Sequence, residues 1–170
     1  MNKNLIAIIV LILIAVIAGL AGCNTASGEE SDFNLIFKYG VTARNELNTF
    51  KGTFTKDMVA DPSITIDLTL TEEEMDRIHR KMIEIDFFDY PDEFSIPLEG
   101  EEIVKIVTPY SRYYFKVEYE SGIKELRWED EIQNENEEAD RLRELIKLIK
   151  DIIENRAEYK ELPEPSSGYM

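Results

Sequence analysis

From Leu5 to Cys23 the chain runs 19 residues without a charge. A run that long has no polar face, so it cannot be one of the amphipathic elements from which a small soluble domain is built. It opens with the short positive start Met1-Asn2-Lys3-Asn4 and is continuously aliphatic from Leu5 to Ala18. Small residues then gather at Gly19, Ala21 and Gly22. A positive start, an apolar stretch and small residues before a cut describe a secretory signal peptide, removed before the mature protein folds. The length also fits an uncleaved anchor helix, with Cys23 as a small buried side chain. Either way, residues 1–22 stand outside the folded domain.

The end of the run is more specific than an ordinary cleavage site. Leu20-Ala21-Gly22-Cys23 resembles the lipobox of bacterial lipoproteins. The resemblance implies signal-peptidase recognition at Leu20, Ala21 and Gly22, a diacylglyceryl group on the Cys23 thiol, and a mature chain that begins at Cys23. Two acyl chains hold a protein stably on a bilayer where one does so only marginally, at about 0.8 kcal/mol per buried CH₂. The implied location is the outer face of the cytoplasmic membrane, or an outer membrane if the host has one. Asn24 is not the aspartate linked in that family with inner-membrane retention. Leu70-Thr71-Glu72-Glu73-Glu74 is also loosely similar to a helix start in small bacterial lipoproteins of uncharacterised activity, and implies no chemistry.

Cutting before Cys23 leaves 148 residues, the size of one domain. Folding such a chain buries about 68–70% of its surface, enough for a core without disulfides. None can form within the chain, because Cys23 is its one cysteine. The whole chain has 19 basic and 35 acidic residues, a net charge of −16, and losing Lys3 takes it to −17. That balance excludes nucleic acid as a partner and disfavours attraction to anionic lipid. The domain boundaries follow: a leader over 1–22, the lipidated Cys and a flexible tether over 23–32, one domain over 33–160, and a disordered tail over 161–170. Nine residues of tether span only about 15–18 Å on average, which keeps the domain near its anchor.

Within the domain, period-two alternation predicts strands at Phe33 to Tyr39, at Phe50 to Thr55 and at Ile64 to Leu70, whereas Val41 to Leu47 has no clear period. Thr71 and Glu74 form a capping box that opens a helix ending near Asp86, with Met75, Ile78, Met82 and Ile85 on one face. Phe87, Phe88, Tyr90 and Phe94 read as an aromatic loop closing the end of the core. Ile103 to Val107 is a short apolar run stopped by Pro109. A second helix is expected from about Glu137 to Glu158, its stripe made by Leu142, Leu145, Ile149 and Ile152. The fold class is α+β, a largely antiparallel sheet of about five to six strands with both amphipathic helices on one face.

The best hairpin joins Tyr113–Tyr119 to Ile123–Trp128. A two-residue Ser121-Gly122 loop would set Val117 opposite Leu126 and Phe115 opposite Trp128. It would also set Lys116 against Arg127 and Glu118 against Glu125, like charges offset only by their diagonal neighbours.

The residues name no catalytic group, metal ligand or cofactor. His79 is the one histidine, beside an apolar stripe and without a Gly-x-Ser-x-Gly elbow in the chain, and reads as a packed or boundary residue. The glycines form no phosphate loop. A calcium loop at Glu129–Glu131 or Glu135–Asp140 lacks the central glycine that a tight loop needs. Tyr110, Tyr113, Tyr114 and Tyr119 around the hairpin are explained by strand packing. The expectation is a non-catalytic binding or accessory domain, held to the membrane through Cys23, with an envelope protein as partner. Its rivals are an envelope hydrolase using paired carboxylates and an inhibitor-like domain presenting the loop from Phe87 to Pro97.

Overall fold

The computed structural model describes residues 33–97 and 103–169. Leu20, Ala21, Gly22, Cys23 and the tether lie outside the described residues. Among the described residues, no helix is long and apolar enough to cross a membrane.

The fold is α+β, built on a seven-stranded, mostly antiparallel sheet. Its strands are β1 (Asn34–Tyr39), β2 (Asn45–Asn48), β3 (Thr53–Met58), β4 (Asp61–Asp67), β5 (Glu93–Phe94), β6 (Arg112–Tyr119) and β7 (Gly122–Glu129). They lie in the order β4-β3-β2-β1-β6-β7-β5, and only the short β5 runs parallel to its neighbour. The helices are α1 (Glu72–Glu84), α2 (Glu137–Asn155) and the single turn α3 (Ala157–Lys160).

Two of the seven strands have no sequence signature. β2 reads Asn-Glu-Leu-Asn, with Leu47 its one apolar residue, and exists because β1 and β3 flank it. β5 is two residues long, and its Phe94 is drawn in beside Trp128. β3 starts three residues after the alternation read in the sequence, because Phe50 to Gly52 form the turn that joins it to β2, and β4 starts three residues before its alternation, at Asp61. Gly52 has φ +62°, and a Cβ there would stand 2.7 Å from the Thr69 hydroxyl, so this corner requires glycine. The run from Ile103 to Val107 is not a strand; it is held by a single β-bridge, Ile106 to Ile132, and by the Asn134 side chain, which bonds the Lys105 amide and the Ile103 carbonyl.

The hairpin keeps the expected even loop but slides along by one position. Glu120 and Ser121 make the turn, both with positive φ (48° and 64°), and Gly122 pairs with Tyr119. Phe115 therefore faces Leu126, Tyr113 faces Trp128, and Val117 faces Lys124. Electrostatics explains the slide: Lys116 now opposes Glu125 and Arg112 opposes Glu129, in place of two like-charge pairs. Lys124 is no burden at its inward position, because its ammonium reaches the Tyr90 carbonyl at 2.6 Å and the Asp92 carboxylate at 2.7 Å.

α1 starts as its sequence dictates. The Thr71 hydroxyl accepts from the Glu74 amide at 3.2 Å, and Glu74 accepts from the Thr71 amide at 2.8 Å. Asn136 caps α2 by accepting from the Ala139 amide at 2.9 Å. α2 stops at Asn155 rather than near Glu158, because Arg156 turns extended and sends its guanidinium to Glu74, the Thr69 carbonyl and Glu158. Both helices lay their apolar stripes on the face of the sheet that carries Leu35, Phe37, Leu47, Phe54, Phe115 and Leu126, all fully buried. Phe87 packs into the same core, 5.2 Å from Phe115, and the Tyr90 hydroxyl donates to the Glu138 carbonyl at 2.8 Å. His79 sits half-buried between the rings of Phe33 (4.8 Å) and Tyr119 (4.6 Å).

The tail expected to be disordered has a defined path. Leu162 packs on the core, the Lys56 ammonium donates to the Pro163 carbonyl at 3.0 Å, and Ser166 donates to Asp61 at 2.7 Å. Proline, serine and glycine lower the propensity for helix and strand, but they do not prevent an extended segment from docking.

Candidate functional site

β6, β7 and β5 bring together the described residues with the most distinctive surroundings. A cleft of about 490 Å³ lies where the segment from Glu93 to Ile96 passes the end of the hairpin. Its floor is aromatic. Trp128 stands edge-on to Phe94 at 5.4 Å and tilted against Tyr113 at 5.6 Å, while the Arg143 guanidinium lies 5.3 Å from the Trp128 ring. Ile132 and Ala43, the latter in the turn between β1 and β2, also line it.

The rim is charged, and both of its arginines are paired. Arg127 lies over Tyr114 at 5.1 Å and bridges Glu93 (3.1 Å) and Glu125 (3.0 Å). Arg112 bridges Glu129 at 3.1 Å, and the Tyr110 hydroxyl donates to the same carboxylate at 2.9 Å. The hydrogen bond from Tyr110, followed by that from Arg112, holds the Glu129 carboxyl below its ordinary range. Burial raises the Tyr113 and Tyr114 phenols further above neutrality, where both are hydrogen-bond donors in any case. Such a site can stack a flat or apolar group on its floor and orient polar groups at its rim.

The cleft and the point of chain entry lie at opposite ends of β1. Asn34 pairs with Glu118, whereas the Gly40 carbonyl accepts from the Arg112 amide at 2.9 Å. Six residues of strand, about 20 Å, therefore separate the entry at Phe33 from the cleft.

The chain matches no family model and no curated protein sequence.

Of the two acidic stretches weighed as calcium loops, Glu129–Glu131 has its first two carboxylates engaged within the protein. Asp130 takes a two-pronged contact from Arg143 (2.6 and 3.3 Å) and a bond from Gln133, and Glu129 is held as above. Among the described residues, no three acidic, histidine or cysteine side chains are placed to hold a metal ion. The loop from Phe87 to Pro97 lies along the sheet with Phe94 and Ile96 buried. Sequence reasoning set the hairpin tyrosines aside as strand packing. That holds for Tyr119, which stacks on His79 and Phe88, but Tyr113 and Tyr114 line the cleft. The available signal was the Arg-Tyr-Tyr run from Arg112 to Tyr114 facing Arg127-Trp128: alternation puts an aromatic on each face of a strand end, flanked by arginine.

Proposed function

We propose that this protein is an exported lipoprotein, anchored through Cys23 to the outer face of the membrane, and that its folded part is a binding domain for an envelope partner. The observation that carries the binding role is the cleft floored by Trp128, Phe94 and Tyr113, with Arg112 paired to Glu129 and Arg127 to Glu93 at its rim. Aromatic floors with a few oriented polar groups are how proteins recognise ligands and partner side chains. The opposite placement of Phe33 supports it as well, since a tether attached there leaves the cleft clear of its own attachment point. A hydrolase working with two carboxyls needs one of them kept protonated. Among the described residues, the displaced carboxyls, Glu46, Asp57, Glu129 and Glu158, all move down.

Two measurements test this reading. The mature protein should lack residues 1–22 and carry added lipid by mass; an intact chain from Met1 recovered from membranes refutes the anchor. A photo-crosslinking side chain at Tyr114 in intact cells should capture one defined partner, and the same group at Thr65, on β4, should not. Equal capture at both positions, or none at either, refutes the cleft as the binding surface.

A further inference from the structure

Lys56 and Asp57 are the only charged residues fully buried among those described, with 4% and 7% of their surface exposed. Both are buried beneath the same segment. The Lys56 ammonium donates to the Pro163 carbonyl, contacts Glu164 at 3.2 Å, and lies 5.0 Å from the Tyr159 ring. Asp57 accepts hydrogen bonds from the Tyr169 and Thr42 hydroxyls, which lie 2.9 Å from each other. Leu162 to Tyr169 thus runs over the end of β3 and finishes on Thr42.

Thr42 belongs to the turn between β1 and β2, and that turn is one lip of the cleft. Ala43 beside it lines the cleft and sits at φ +52°. The Val41 carbonyl accepts from the Arg112 guanidinium at 3.1 Å, and the Gly40 carbonyl accepts from both the Ala43 and Arg112 amides. Arg112 in turn holds Glu129 at the rim. Hydrogen bonds at the shared Asp57 carboxylate tie Tyr169 to Thr42, the backbone of the turn carries the connection on, and further hydrogen bonds from Arg112 take it to the charged rim.

The geometry points to residues 162–169 as a releasable strap that pins one lip of the cleft and sets how open the cleft is. Three features suit it to release. Its backbone belongs to no helix or strand beyond Lys160, its side chains are mostly exposed, and its grip is concentrated at Lys56, Asp61 and Asp57. Segments of this kind open at small free-energy cost while the core stays closed. The turn it holds contains two positive-φ residues, Gly40 and Ala43, and once the Tyr169 hydroxyl leaves, it is held by the Thr42 bond to Asp57, the bonds to Arg112 and its own Ala43–Gly40 bond.

The inference uses the cleft only as a shape, so its test needs no partner and can fail separately from the binding role. In the full chain, Tyr169→Phe removes the hydroxyl and keeps the ring. Amide exchange at residues 41–44 and at Arg112 should accelerate about tenfold, the scale on which losing a hydrogen bond to a charged group acts. Protection at Ile78–Met82 and Ile149–Ile153 should not change. Trp128 is the single tryptophan, so acrylamide quenching of its fluorescence reads the cleft directly and should rise by about half or more as the lip loosens. Unchanged exchange in the turn overturns the strap. Faster exchange in the turn with unchanged Trp128 quenching overturns its link to the cleft. Equal loss of protection in the helices makes the segment ordinary packing and overturns the proposal too.

Discussion

Lys116 on β6 stands directly across from Glu125 on β7, and this pairing belongs to a register in which Glu120 and Ser121 alone form the turn. Both turn residues have positive φ, a conformation that side chains with a Cβ adopt at some cost. Replacing Glu120 and Ser121 with Asn-Gly should raise stability by about 1 kcal/mol, read as a higher urea midpoint with an unchanged slope. A lower midpoint would place the turn at Ser121-Gly122 after all.

The core should respond to Phe115 above most positions. Its ring is fully buried, 4.7 Å from Phe37 and 5.2 Å from Phe87, and it links the central strands to the loop that follows α1. Phe115→Ala should cost about 3–5 kcal/mol, and Phe115→Leu clearly less. Thermal unfolding of the two variants side by side checks the ordering.

At the start of α1, Thr71→Ala should cost about 1 kcal/mol, with Thr71→Ser recovering most of it. The reciprocal bonds between Thr71 and Glu74 are the reason, and Glu74 also accepts from Arg156 at 3.2 Å. A double-mutant cycle over Thr71 and Arg156 should therefore show coupling through their shared partner.

Asp57 gives the fold an acid-sensitive point. Burial alone would push its carboxyl upward, but hydrogen bonds from Tyr169, the Val59 amide and Thr42 outweigh it and hold the group below its ordinary value. The unfolded chain thus takes up this proton first as pH falls. The contribution is complete above the ordinary carboxylate value and is lost as pH drops through the lower, folded one. Urea midpoints at about pH 6 and about pH 3 should fall further in the native chain than in Asp57→Asn. An identical fall in both would show that Asp57 plays no part.

The sequence made visible the elements whose apolar pattern is strong and local. α1 was readable from Thr71 and Glu74, β1 from Phe33 to Tyr39, and the buried stripe of α2 from Leu142 to Ile152. β2 was not, since a strand with one apolar residue is held by neighbours that lie far along the chain. The hairpin register follows charge as much as apolar contact, so putting the pairs Val117–Leu126 and Phe115–Trp128 ahead of the like-charge pairs misplaces it. The cleft was hidden for a related reason. Trp128, Phe94, Tyr113 and Ala43 come from four separate segments, and each alone reads as ordinary strand or turn. The tail was misjudged because composition describes what a segment does alone, whereas Lys56 and Asp57 give it a place to bind.

β1 is both the first described strand and the middle of the sheet, bonded to β2 on one side and β6 on the other. Any load carried along the chain into Phe33 is directed down the length of β1, so the hydrogen bonds on both of its sides resist together in shear rather than parting one by one. A strand at either edge would peel. Placing the entry strand at the centre makes the domain mechanically strong against a pull on its N-terminal end.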